Sequence, residues 1–212
     1  MTDPLAARVN GIVVDAMKGV DFAFKLEEGG KQFSFNPFML AIVRSRVVAG
    51  AIVVRDAPQY LLTKNAAWAY DDEKDEVLVD ASKLGIDTAG PGLVHEYTHA
   101  ACDVLKYYPF TRASNEAVAF LAQRLSMGFG VHIDLDTHPE TKGGDSLRKK
   151  LFEEAEKLMD SKKLATDKAA QISAAEFKPL RDALVALYQA ASWPPFQPDQ
   201  IMDHLGITRP YP

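Results

Sequence analysis

The segment His95-Glu96-Tyr97-Thr98-His99 constrains this chain more than any other. In an α-helix, residues four apart lie on one face, so His95 and His99 can hold one metal ion between two imidazoles. Glu96 then stands beside that ion, where a carboxylate can take a proton from a metal-bound water. The flanking Leu93, Val94, Tyr97, Thr98, Ala100 and Ala101 are uncharged, as suits a helix buried beneath a cleft. The alternative is a surface helix carrying two unrelated histidines. It fits poorly with a chain that has only five histidines in 212 residues.

A chain of this length suits one domain, in one or two lobes. Its 47% hydrophobic and 25% charged residues are those of an ordinary globular protein. A net charge of -5 argues against a nucleic-acid partner. The most apolar stretch, residues 38–54, carries Arg44 and Arg46 in its middle, so no membrane span is expected. Met1-Thr2-Asp3-Pro4 lacks the basic and apolar regions of a signal peptide. Cys102 is the single cysteine, which excludes an internal disulfide. A cytoplasmic location is expected on these grounds, and a secreted mature chain would read the same.

Asp3-Pro4 marks a helix start that should run to about Lys18. Residues 22–35 read as a hairpin around a Glu28-Gly29-Gly30-Lys31 turn, and Asn36-Pro37 opens a short helix. The Val- and Ile-rich residues 47–54 read as a buried strand. A second hairpin covers residues 66–79, with the charged residues 71–76 as its turn. The motif helix should start near Pro91 and stop before Pro109, and the next should run from about Ala113 to Met127, ended by Gly128. Residues 132–145 read as a polar loop. Leu147, Leu151, Ala155 and Leu158 mark an amphipathic helix over 145–162. Ser173 and Glu176 form a possible capping box for a helix reaching about Ala191, and a short helix is expected near 200–205 in the Pro-rich tail.

A catalytic zinc usually takes three protein ligands and keeps one position open. Cys102 and Leu105 stand where the three-histidine motif of the metzincins would need Gly and His. Glu116, early on the following helix, is the better third ligand. It could instead complement the positive end of its own helix. Its neighbours Ala117, Val118, Ala119 and Phe120 argue against that, because an unpaired Glu in such a run is costly to bury. Cys102 reads as a small buried hydrophobe, and Trp68 and Tyr70 as strand packing.

With these residues in place, the chain resembles the gluzincins, zinc peptidases with an HExxH helix and a glutamate third ligand. His95-Glu96-Tyr97-Thr98-His99-Ala100 followed by Asp103 is similar to the HELTHAxxD of the thermolysin type, and Asn115-Glu116-Ala117 to its NEA segment. Asn65-Ala66-Ala67-Trp68 is similar to its NAFW edge strand, which binds substrate main chain. The resemblance covers about residues 60–128. It implies that Asp103 and Asn115 orient ligand histidines through hydrogen bonds, and that Asn65 and Ala66 contact substrate. The chain departs from that pattern at Phe120, where the family has Asp. No position matches the family's oxyanion-stabilising His. Tyr107, Tyr108, His132, His138 and His204 are candidates for that role.

The expected fold is α+β and zincin-like, with a small, mostly antiparallel sheet packed on the motif helix and further helices behind it. Residues 1–130 should form the catalytic domain, with an N-terminal part over 1–60 and the zinc-site part over 60–130. Residues 131–212 should form a helical subdomain with a Pro-rich tail. The expected activity is that of a zinc metallopeptidase, a hydrolase using Zn2+ held by His95, His99 and Glu116, with Glu96 as general base and a peptide or protein as substrate. Two alternatives are a catalytically silent zinc-binding or regulatory protein and a metal-dependent hydrolase of a non-peptide amide.

Overall fold

A computed structural model describes residues 3–18, 20, 23–28, 30–64, 66–106, 111–128, 146–164, 167, 170–190 and 197–200. The elements run α1 (Pro4–Ala16), β1 (Phe24–Glu28), β2 (Lys31–Phe35), α2 (Pro37–Val48), β3 (Val53–Asp56), α3 (Pro58–Thr63), β4 (Trp68–Asp71), β5 (Glu76–Val79), α4 (Ala89–Val104), α5 (Arg112–Ser126), α6 (Ser146–Ser161), β6 (Ala170–Ile172) and α7 (Ala174–Ala190), with a 3-10 turn at Ala81–Lys83. The protein is thus α+β, with seven α-helices and two three-stranded sheets among the described residues. The sheets differ from the single, mostly antiparallel one expected. Each pairs one antiparallel and one parallel neighbour, in the orders β2-β1-β6 and β3-β5-β4. The expected loop at 132–145 lies outside the described residues, as does the expected short helix at 200–205 apart from Gln200.

Contacts divide the described residues into two compact units, the first within Met1–Gly19 and Pro37–Tyr107, the second within Val20–Asn36 and Tyr108–Met202. The division falls between α4 and α5. The reason is that α5 packs on α6 and α7, and α7 packs on β1. The apolar face of α5 therefore belongs with the later helices and the early hairpin.

In the first unit α1 and α2 pack on α4, and α4 packs on β4. Asp3 caps α1 by accepting from the Leu5 N–H at 2.7 Å, with Pro4 at the first helical position. The core holds Val9 and Val13 of α1, Leu40, Val43 and Val47 of α2, all three apolar residues of β5, and Leu93, Val94, Tyr97 and Ala100 of α4. The strand expected over 47–54 is shorter and later. Val47 continues the helical spacing of Leu40 and Val43, so α2 extends to Val48. Gly50, at φ 75°, then turns the chain, and the Ala51 and Ile52 N–H groups both return to the Arg46 carbonyl. Only Val53–Asp56 pairs as a strand, parallel to β5.

The second unit is built on the β1–β2 hairpin, in which Phe24 and Phe35 sit opposite each other and stack with centroids 5.3 Å apart. β6 adds to β1 in parallel, and α5, α6 and α7 pack on one another. Arg124 of α5 is 2% exposed, with its guanidinium 3.0 Å from Glu156 and over the Phe152 ring. Pairing of both kinds is what makes so deeply buried a cation tolerable. Glu28 Oε1, at the end of β1, accepts from Ser114 of α5 at 2.5 Å and from Arg181 of α7 at 3.4 Å.

Candidate metal centre

The motif lies wholly on α4, a regular helix of 16 residues. His95 and His99 are both half-buried, and their rings meet edge to face with centroids 4.8 Å apart. That is the outcome the four-residue spacing predicts. On another side of the helix, Tyr97 is fully buried and its hydroxyl donates to Asn10 of α1 at 2.8 Å. Thr98 is buried as well and its hydroxyl returns to the Val94 carbonyl. Cys102 is 1% exposed, and burial pushes its thiol well above the usual range. It is a packed thiol, as its sequence context predicts.

Glu96 is half-buried, and its Oε2 accepts from the Tyr70 main-chain N–H at 2.8 Å. The Tyr70 hydroxyl donates to Oδ2 of Asp103 at 2.9 Å. Asp103 itself is 1% exposed. Burial, then the negative charge of Asp103, pushes the Tyr70 phenol far up, so it remains an O–H donor. Trp68, two residues earlier on β4, lies against Gly92 of α4. A Cβ at position 92 would come within 2.0 Å of the indole Nε1. Gly92 thus permits a close approach that no other residue would.

Tyr70 reads as strand packing in the sequence and is more than that here. Nothing local in the sequence marks it, since its partners are 26 and 33 residues away. Of the resemblance-derived substrate contacts, Asn65 lies outside the described residues. Ala66 precedes the strand, which begins at Trp68, and its N–H closes the turn after α3 by donating to the Leu61 carbonyl.

The second unit holds the other two candidates on α5. Thr111 caps this helix by accepting from the Ser114 N–H at 3.2 Å. Asn115 is buried, at 2% exposure. Glu116 is half-buried and its Oε2 accepts from the Tyr188 hydroxyl of α7 at 2.9 Å. No acidic residue lies in the first turn of α5. Glu116 therefore sits beyond the reach of the strongest helix-end field, which weakens the reading of it as a mere complement to the helix dipole. Tyr188 has no sequence signal either. Tyr107, Tyr108, His132, His138 and His204 all lie outside the described residues.

No protein family, curated protein or solved structure matches this chain. No helix among the described residues is long and apolar enough to cross a membrane.

Proposed function

We propose that this chain is a zinc-dependent peptidase of the gluzincin class, with zincin-like architecture around α4. The observation that carries the reading is the motif helix. Two imidazoles share one face, and the carboxylate of Glu96 is held by the main chain of a neighbouring strand. His95, His99 and Glu116 would be the ligands. Two imidazole nitrogens and a carboxylate oxygen fit a catalytic zinc, which keeps its fourth position open. Tyr188 would orient the Glu116 carboxylate.

A bound zinc supplies Lewis acidity toward water and toward a carbonyl. Glu96 would take the proton of the attacking water and return it to the leaving amine. β4 stands at the edge of its sheet. The Tyr70 N–H on that edge is taken by Glu96, and an extended peptide pairing with the remaining main-chain groups of β4 would gain affinity with little sequence preference.

The test begins with metal content by mass spectrometry. About one zinc per chain is expected, consistent with a single three-ligand site, and His95→Ala and Glu116→Ala should each reduce it. Zinc-loaded parent should cut a peptide library, and Glu96→Gln should keep its metal and lose turnover by about a hundredfold or more. A folded parent that takes up no zinc would end the reading. Zinc binding without cuts would instead favour the silent zinc-binding protein, and cleavage of small acyl amides alone would favour the non-peptide hydrolase.

A further inference from the structure

Resting on the reading of Glu96 as general base, we propose that Tyr70 is the positioning residue that sets where the Glu96 carboxylate sits. Tyr70 lies opposite Val77 in the β4–β5 register, yet its N–H goes to Glu96. The bond therefore leaves from the open side of the edge strand. The same residue reaches α4 a second time through its hydroxyl, at Asp103.

Glu96 and Asp103 are seven positions apart, two helical turns on one face, and Gly92 is one turn before Glu96. Trp68 sits on Gly92, and it projects from the same side of the strand as Tyr70. Three ties along one stripe of α4 thus hold the strand edge in a single register on the helix. A glutamate side chain otherwise samples several rotamers. The N–H of a strand so anchored confines one carboxylate oxygen to one place. The hydroxyl tie to Asp103 keeps that N–H in position.

Tyr70→Phe keeps the ring and the main-chain N–H and removes only the second tie. In the zinc-loaded full chain it should leave zinc content unchanged and KM within about twofold. It should lower kcat about tenfold, the scale of effect seen when a supporting hydrogen bond is removed. Hydrogen exchange of the residue-70 amide supplies a readout independent of turnover. Exchange should accelerate about tenfold in Tyr70→Phe and more in Glu96→Ala, which removes the acceptor. It should stay near the parental rate in Glu96→Gln, whose amide oxygen still accepts. Parental kcat in Tyr70→Phe, or parental exchange in Glu96→Ala, would overturn the proposal. If the zinc-loaded parent cuts no peptide, the peptidase reading falls. The exchange rates then decide alone, with lost protection in Glu96→Ala upholding the clamp and retained protection refuting it.

Discussion

The two units supply the candidate donors in different ways. In the first, His95, Glu96 and His99 sit within five consecutive residues, and the helix alone sets their faces. In the second, a single carboxylate, Glu116, accepts a hydrogen bond from Tyr188, 72 residues along the chain. The first arrangement is written in spacing and the second in packing. A disturbance of helix packing should therefore reach the Glu116 side sooner than the histidine pair.

Four substitutions break or sharpen that contrast. The largest effect is expected from Gly92→Ala, because its Cβ would meet the Trp68 ring within 2.0 Å. Overpacking of that kind costs about 1–3 kcal/mol, so thermal denaturation should show a lower Tm. The histidines stay on their helix, and zinc content should persist. Loss of zinc in a folded Gly92→Ala variant would show that spacing alone does not secure the pair.

An intermediate effect is expected from Tyr188→Phe, which removes the donor to Glu116 without changing the packing. Zinc affinity should fall about tenfold, with unchanged stability, in a chelator competition assay. Parental affinity would show that the Tyr188 hydroxyl does not matter to Glu116.

The smallest effect belongs to the cap of α7. The Ser173 N–H and hydroxyl both reach Glu176 Oε2, at 2.9 and 2.8 Å, and Lys162 lies 2.6 Å from its other oxygen. The Lys162 contact first, then the Ser173 hydrogen bonds, lower the Glu176 carboxyl to about 2. A carboxyl held below its unfolded value stabilises the folded state above the usual carboxylate range. That contribution fades as the pH falls from about 4.5 toward 2. Ser173→Ala should cost about 1 kcal/mol or less near neutral pH. In acid titrations of stability, Glu176→Gln should flatten the dependence over that window, and an unchanged slope would remove Glu176 from the account.

The same contrast explains what the sequence made legible. Helix α4, the Asp3 cap and both hairpins rest on spacings and turn residues a few positions apart, and all are found. Residues 47–54 mislead because Val and Ile favour strands locally. Val47 is nonetheless held in α2 by burial beside Leu40 and Val43. β6 has only three residues and exists because β1 offers it an edge far back in the chain. No window centred on residues 170–172 contains that partner. Within the candidate centre, the motif gave His95, Glu96 and His99 their places on one helix. The two tyrosines that hold the carboxylates depend on contacts that no local pattern reports.

The order of strands in the second unit also sets a schedule. β1 and β2 end at Phe35, whereas the strand that completes their sheet begins at Ala170. At about 5–20 residues per second, a ribosome needs on the order of ten seconds to pass from one to the other. A two-stranded hairpin is marginal by itself in water. Throughout that interval the β1 edge is open to any other extended chain nearby. The early hairpin is therefore where a nascent copy of this protein is most exposed to mispairing, and the arrival of β6 is the event that ends the risk.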